Sequence, residues 1–427
     1  MPVAPPDKYH VPQWLGERAE RRFHAMAKPA GATCNLDCTY CFYLSKHDLP
    51  GGPGRGVMSD EVLERYIRDY IASVTADEVV FTWQGGEPTL RGLGFFEKAV
   101  ALQRKHAKPG QRIENDLQTN GVLLDDAWVA FLKAHRFLVG LSIDGPQDVH
   151  DAMRLAKGGK PTFDATMAAA ARLKRHGIPF NTLTCVHRHN ARRPLDVYRF
   201  LRRELGSTHL QFIPIVEPRD FPTVAPQHWN PATLPVVGTP AARPGHPDSV
   251  VTDWSVDPDD YGYFLCKVWD EWYRRDLGKA LVSFCETLVV QRMGEPAQIC
   301  VFAETCGKGV VVEHDGGVYS CDHYVYSEYR LGNLRTASLG DLVFSPRQVK
   351  FGYDKSDTLP KFCRDCPYLA DCRGECPKNR FVRAPDGEPG LNYLCPAFRK
   401  FFAHAGPQAQ RMAIELRSAP PARFQRL

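Results

Sequence analysis

Three cysteines stand close together near the start of the chain, in Cys34-Asn35-Leu36-Asp37-Cys38-Thr39-Tyr40-Cys41, a C-x3-C-x2-C triplet. Thiolates at that spacing on one tight loop can hold three irons of a four-iron cluster. A full set takes four protein ligands, so the triplet leaves one metal position open, as a catalytic metal site requires. No fourth cysteine or histidine lies close enough in sequence to complete a zinc site instead, His47 being the nearest. A second group, Cys300-x5-Cys306-x14-Cys321 and then Cys363-x2-Cys366-x5-Cys372-x3-Cys376-x18-Cys395, supplies eight thiols. Eight divide into two four-cysteine sites, for iron–sulfur clusters or for zinc. Cys185, Cys266 and Cys285 stand apart and read as small buried hydrophobes.

The compartment bears on these readings. Met1 to Arg21 is polar and proline-rich, without the basic-then-apolar pattern of an export signal. The cytoplasm is therefore the expected location. Thiols stay reduced there, so a disulfide framework is the wrong reading of 14 cysteines. No apolar run approaches the roughly 20 residues that cross a bilayer, and no membrane partner is expected. A balance of 54 Lys+Arg against 49 Asp+Glu is too even to suggest a nucleic-acid partner.

The elements that must position these thiols are legible in the periodicity. β-rich runs lie at 23–28, 79–83, 113–118, 137–143, 180–186 and 210–216. Helical stripes alternate with them. Val62, Leu63, Tyr66, Ile67, Tyr70 and Ile71 recur at helical spacing behind Ser59 as N-cap. Segments 163–176 and 195–205 end on Gly177 and Gly206 as C-caps. Six strand–helix units predict a parallel sheet closing most of a β/α barrel, with chemistry on the loops after the strands' C-terminal ends. Seven prolines and no periodicity between Arg219 and Val251 predict a long irregular connection, a lid or a linker. A helical segment at 261–277 follows. In the cysteine-rich part, Asp315-Gly316 predicts a hairpin between 310–313 and 318–320. Long apolar stretches are scarce there, so metal is expected to stabilise it. The organisation expected is an N-terminal extension 1–20, a barrel 21–218, an insert with linker helices 219–297, a cysteine-rich domain 298–402, and a tail 403–427 with a short helix after Ala405.

The triplet, read as C-x3-C-x-aromatic-C after a first strand, resembles the radical S-adenosylmethionine superfamily. So does Trp83-Gln84-Gly85-Gly86-Glu87-Pro88 at the end of the second strand. The eight-cysteine spacing resembles the SPASM domain of radical enzymes that modify peptides. The fold implied is α/β, a partial (β/α)6 TIM-like barrel with a C-terminal cysteine-rich iron–sulfur (SPASM) domain. The cofactors implied are three [4Fe-4S] clusters and S-adenosylmethionine. By this resemblance Cys34, Cys38 and Cys41 hold the cluster that binds S-adenosylmethionine. Cys300, Cys306, Cys321 and Cys376 hold one auxiliary cluster, and Cys363, Cys366, Cys372 and Cys395 the other. In the superfamily, the reduced cluster cleaves S-adenosylmethionine to methionine and a 5'-deoxyadenosyl radical. With four cysteines each, the auxiliary clusters would offer no open iron to substrate.

A narrower resemblance, to the anaerobic sulfatase-maturating enzymes, rests on four stretches. They are Val318-Tyr319-Ser320-Cys321-Asp322-His323-Tyr324-Val325-Tyr326 leading to Arg330-Leu331-Gly332-Asn333, Leu117-Gln118-Thr119-Asn120-Gly121, Val139-Gly140-Leu141-Ser142-Ile143-Asp144-Gly145-Pro146, and Gln211-Phe212-Ile213-Pro214. It implies oxidation of a Cys or Ser in a sulfatase polypeptide to Cα-formylglycine, and a low-potential electron donor of the flavodoxin or ferredoxin type. The family's base directly follows a cluster cysteine, which here is Asp322; His323 and Asp315 are the nearest rivals. Without the resemblance, Asp322 reads as a loop residue making an Asx-turn. Cofactor contacts fall on Tyr40 and Gly86 through backbone, Ser142 and Arg154 toward the methionine carboxylate and ribose, and Val216 by packing at the end of strand six. The glycines beside Gly86 are expected to let backbone come close to the methionine amino group. Tyr43 and Gln84 are expected to contact substrate peptide. Two alternatives stay open. One is a SPASM-type enzyme crosslinking a ribosomal peptide, which would not need Asp322; only about 20 residues precede the barrel, too few for the peptide-binding domain such enzymes often carry. The other is a zinc-stabilised binding module.

Overall fold

Residues 21–418 are described by a computed structural model; the extension at 1–20 and the last part of the tail lie outside the described residues. Six parallel strands follow one another in chain order: β1 (His24–Ala27), β2 (Glu78–Trp83), β3 (Arg112–Thr119), β4 (Leu138–Ser142), β5 (Phe180–Val186) and β6 (His209–Pro214). Helices separate them and cover the outer face, as a parallel sheet buried on both faces requires.

The helix Asp60–Ser73 illustrates how the sequence sets this up. Ser59 Oγ accepts from the Val62 amide, Asp60 and Glu61 complement the helix dipole, and all six stripe residues are buried. Burial of each large apolar side chain contributes about 1.5–3 kcal/mol. The stripe also anchors β1, because Tyr66 donates to the Ala25 carbonyl at 2.9 Å and Tyr70 to that of Phe23 at 3.0 Å.

The sheet does not stop at six strands. β7 (Leu281–Val282) joins β6 in parallel, and from the cysteine-rich part β8 (Gly309–Val312) pairs in parallel with β1. The expected hairpin is present: β8 turns at Asp315-Gly316 into β9 (Gly317–Tyr319), and β10 (Arg330–Asn333) completes a ten-stranded sheet. An open barrel leaves the β1 edge with unpaired backbone groups. Here the cysteine-rich part supplies the strand that satisfies them.

Two expectations need correction. β6 ends at Pro214, so Val216 lies two residues beyond the strand. The tail helix is no short element after Ala405: it is continuous from Cys395 to Ser418. Phe398, Phe401, Phe402, Ala405 and Ala409 recur along it at helical spacing and are buried. Through that stripe the cysteine-rich part shares one hydrophobic core with the barrel, joining Phe302 to Tyr261, Trp269 and Phe284. Apolar packing therefore supports much of this part beside the metal expected to stabilise it.

Candidate active site

The triplet occupies the loop after β1, and segments from neighbouring loops strap it down. Asp37 donates its amide to Leu155 O at 2.8 Å and Thr39 to Met153 O at 3.0 Å, while Gly86 donates to Gly31 O and Glu87 to Thr33 O, both at 2.9 Å. A Cβ on Gly86 would collide with the Thr33 carbonyl. The glycine is thus required by packing against the cysteine loop itself. Behind it, the buried Glu87 carboxylate accepts from the Thr89 and Asn120 amides and the Thr89 and Thr119 hydroxyls.

The three thiols are half-exposed. Burial pushes Cys34 up to about 12 and Cys38 up to about 11, with the neighbouring thiols adding to both shifts. Three thiols clustered on one loop suit a bound metal group, whose charge deprotonates coordinating thiols outright.

Next to this loop lies a buried charge network centred on Asp144. Its Oδ2 meets Arg154 Nε at 2.9 Å and receives the Tyr40 hydroxyl, and its Oδ1 accepts from the Cys185 amide at 3.0 Å. Burial alone would raise this carboxyl, yet Arg154 and the flanking His187 and His150 hold it below the usual range. Arg154, expected as a cofactor contact, is buried, and its guanidinium lies 5.5 Å from the Tyr40 ring centroid. Cys185, expected as an inert hydrophobe, is half-exposed with its sulfur 3.6 Å from Arg154. Ser142 ends β4 and accepts from Gln118 at 2.8 Å. Val216 is buried with its carbonyl accepting from Lys378 Nζ at 2.7 Å, and it is Ile215 that packs with Tyr40 and Met153.

Asp322 sits in the short 3-10 turn Asp322–Tyr324 directly after Cys321, with Lys28 Nζ 2.5 Å from its Oδ1. Lys28 directly follows β1, just ahead of the cysteine loop. The lysine is 2% exposed and the aspartate 22%, so the ion pair is mostly buried. Burial opposes ionisation of Asp322, but Lys28, His323 and Lys46 together hold it below the usual carboxylate range. The rivals are otherwise engaged. His323 is pushed down to about 3, first by burial and then by Lys378, and its ring lies 4.8 Å from that of Phe42. Asp315 makes the Asx-turn, accepting from the Gly317 amide at 2.8 Å and pairing with Arg330. Tyr43, expected to touch substrate, is buried and donates to Glu313. Gln84 is half-exposed at the end of β2.

Sequence reasoning missed several residues here. Lys46 and Lys378 line a small cavity with Glu217, His323 and Tyr326, closed by Phe221, Pro226 and Trp229 of the insert. Burial pushes Lys46 down to about 7, and its amine lies 3.4 Å from the Tyr326 ring centroid. The insert is clasped to the cysteine-rich part, Tyr326 donating to Phe221 O and Tyr329 to Pro226 O.

The eight C-terminal cysteines separate in space into the two expected sets. Cys363, Cys366, Cys372 and Cys395 line one cavity with Phe362 and Tyr368. Cys300, Cys306, Cys321 and Cys376 lie within electrostatic reach of one another. The chain crosses from one set to the other through Arg373, Gly374 and Glu375, all left-handed at φ +50°, +68° and +48°. Non-glycine residues in that region cost about 1–2 kcal/mol each, so the crossing is strained right beside Cys372 and Cys376. Lys355 Nζ donates to the Cys300 and Val301 carbonyls, and the buried Arg380 donates to the Lys355 and Gly374 carbonyls. Among the described residues, no three His, Cys, Asp or Glu close to the spacing of one shared ion. A set of thiols around a cavity suits a larger inorganic group.

Comparison with known proteins gives these sites a family. Residues 29–201 match the radical SAM superfamily and 300–367 an iron–sulfur cluster-binding domain. A serine-type anaerobic sulfatase-maturating enzyme of Bacteroides thetaiotaomicron is 44% identical over 393 residues, 92% of each chain. The chain belongs to the anaerobic sulfatase-maturating enzymes. A cysteine-type anaerobic sulfatase-maturating enzyme of Clostridium perfringens is 34% identical over 394 residues, 92% of this chain and 98% of that one. The solved structure of native anSMEcpe with bound AdoMet and Cp18Cys peptide superposes with a TM-score of 0.77 at 33% identity, over 92% of this chain and 99% of that one. Like other members, this sulfatase-maturating enzyme is a radical SAM oxidoreductase with iron–sulfur sites. No helix among the described residues is long and apolar enough to cross a membrane.

Proposed function

We propose that this enzyme oxidises one Cys or Ser of a sulfatase polypeptide to Cα-formylglycine, with Asp322 as the base. The observation that carries the reading is the Lys28–Asp322 ion pair, which ties an ionised carboxylate beside Cys321 to the strand that leads into the Cys34–Cys38–Cys41 loop. Those three cysteines would hold the cluster that binds S-adenosylmethionine. Cys300, Cys306, Cys321 and Cys376 would hold a second [4Fe-4S] cluster, and Cys363, Cys366, Cys372 and Cys395 a third. When bound, cluster and S-adenosylmethionine supply the 5'-deoxyadenosyl radical that takes a hydrogen from the substrate Cβ.

The residues of this chain do the rest. Tyr40, Gly86, Ser142, Arg154 and Val216 would line the cofactor, with Asp144 fixing Tyr40 and Arg154 in place. Once the neighbouring carbon is a radical, the S–H or O–H proton is far more acidic, so a modest base suffices. Asp322 accepts that proton, held in place by its contact with Lys28. One electron leaves the substrate for each one taken up in cofactor cleavage, and a low-potential flavodoxin or ferredoxin would serve as donor. Water then replaces sulfur, releasing hydrogen sulfide from cysteine; serine reaches the aldehyde by losing two hydrogens. The higher identity to a serine-type relative supports turnover of serine as well as cysteine.

The test is anaerobic incubation of reconstituted enzyme with S-adenosylmethionine, reductant and paired peptides carrying Cys-x-Pro-x-Arg or Ser-x-Pro-x-Arg, read by mass spectrometry. Aldehyde formation from both, matched to 5'-deoxyadenosine, is the expected result. Cofactor cleavage with both peptides unchanged would refute the substrate assignment. The protein should carry about twelve irons, four for each of three clusters.

A further inference from the structure

Four lysines are buried among the described residues, and three of them are engaged. Lys28 meets Asp322 at 2.5 Å, Lys355 donates to the Cys300 and Val301 carbonyls at 2.8 Å each, and Lys378 donates to Val216 O at 2.7 Å and to Glu217. Lys46 is the exception. It is 1% exposed, stands in the short turn Leu44–Asp48, and its ammonium has no hydrogen bond or ion pair among the described residues. What it faces is the Tyr326 ring, 3.4 Å away at the centroid. A ring face attracts a cation but leaves its three N–H donors unmet. The carboxylates that influence Lys46 are spent elsewhere, Glu217 on Lys378, Asp322 on Lys28 and Glu313 on Tyr43.

The cavity that Lys46 lines suits a small guest. It has room for about one water-sized molecule, and Phe221 and Trp229 of the insert close it. Its lining sets two lysines, Lys46 and Lys378, against one glutamate, Glu217, a formal charge of +1 with His323 neutral. His323 Nδ1 is also buried there without a hydrogen-bond partner among the described residues. A neutral imidazole can carry its proton on that nitrogen and donate it. Two unmet donors, one from the turn after the cysteine loop and one from the turn after Cys321, thus line the same space. Buried donors without partners are costly, an ammonium most of all.

We propose that this cavity is a binding site for one small monovalent anion, a halide or hydrosulfide, held by Lys46 Nζ and His323 Nδ1. The size suits such an ion and not sulfate or phosphate, and the lining's single net charge matches one negative guest. Burial pushes the unpartnered Lys46 down to about 7, and an anion beside it restores the charged form. The guest would join the turn after the cysteine loop to the cysteine-rich part directly beneath the insert. Two sources supply an ion of this chemistry. Chloride comes from the medium. Hydrosulfide comes from the reaction proposed above, in which cysteine turnover releases hydrogen sulfide at Asp322, the residue before His323. That second source rests on the proposed function; the site itself does not.

The experiment soaks anaerobically grown crystals of the iron-loaded enzyme in sodium bromide and locates the ion by its anomalous scattering. A bromide peak in contact with Lys46 Nζ and His323 Nδ1 is the expected result. A cavity holding water alone overturns the proposal, and half occupancy reached only at molar bromide marks an adventitious ion and overturns it too. Lys46→Met, similar in length but uncharged, should need at least about ten-fold more bromide for half occupancy, the worth of one charge-assisted hydrogen bond. Equal occupancy in the variant would contradict the role of Lys46; if the variant does not crystallise, the wild-type bromide series decides alone. A second soak adds sodium hydrosulfide. Loss of the bromide peak assigns the sulfur product as the guest and an unchanged peak assigns a halide, the site standing in both cases. In crystals with the cysteine peptide bound, a peptide side chain filling the cavity overturns the proposal in favour of substrate recognition. Bromide in the cavity of an enzyme that leaves both peptides unchanged keeps the anion site and refutes the substrate reading alone.

Discussion

The two cysteine regions hold their thiols by different means. The loop of Cys34, Cys38 and Cys41 is fixed by the protein alone: backbone straps to Leu155, Met153 and Gly86, the buried Glu87, and the Asp144–Arg154 pair behind Tyr40. The set of Cys363, Cys366, Cys372 and Cys395 rests on helices of four residues, Lys361–Arg364 and Leu369–Cys372, neither with a side-chain cap, and on a strained left-handed crossing. A metal group at the first region would thus be positioned for chemistry. At the second it would complete the structure, even though the aromatic helix Cys395–Ser418 anchors one side.

The sharpest way to break this contrast is to remove one thiol from each region. Cys38→Ala should abolish 5'-deoxyadenosine formation yet keep barrel amides protected in hydrogen exchange. Cys372→Ala should expose amides across 359–380 and lower the thermal midpoint. Matching losses of protection in both variants would erase the distinction.

Removing the carboxylate behind the first loop should have the next largest effect. Asp144→Asn leaves Arg154 buried beside a neutral partner, a loss of about 3 kcal/mol at neutral pH. Because the folded-state value of Asp144 is depressed, its contribution is full above the unfolded value of about 3.9 and disappears as pH falls through the folded one. The stability gap between variant and wild type should therefore close in acid, as denaturant titrations at pH 7 and about pH 3 would reveal. A constant gap would mean that Asp144 acts through shape rather than charge.

Lys28→Met should produce the smallest and most specific change. With the main cationic influence on Asp322 gone, burial raises its carboxyl, so the acid limb of the rate profile should move to higher pH while the alkaline limb stays. An unmoved acid limb would detach the lysine from the base.

Much of this arrangement was legible in the sequence, because thiol spacing and apolar periodicity are local. The six strands, the Ser59 cap, the Asp315-Gly316 hairpin and the partition of eight cysteines all followed from such patterns or from the family likeness they carried. Pairing of β8 with β1 could not follow, since an edge strand does not name its partner 285 residues away (Val310 against Ala25). Asp144 stands inside a stretch read for Ser142 alone, and nothing local says that its carboxylate would meet Arg154 and Tyr40. Lys28 carried a faint signal, a charged residue closing an apolar strand beside the triplet. Tyr43 misled because its hydroxyl is consumed by Glu313, a partner 270 positions away.

The most direct test of the proposed division of labour sets wild type beside Asp322→Asn, each iron-loaded and given S-adenosylmethionine, reductant and the cysteine peptide, with 5'-deoxyadenosine and peptide aldehyde measured in the same vials. Wild type should form the two products together. The variant should keep cleaving the cofactor while aldehyde falls by about 10²–10⁴-fold, the usual worth of a positioned base. Aldehyde at the wild-type rate from Asp322→Asn would contradict the assignment.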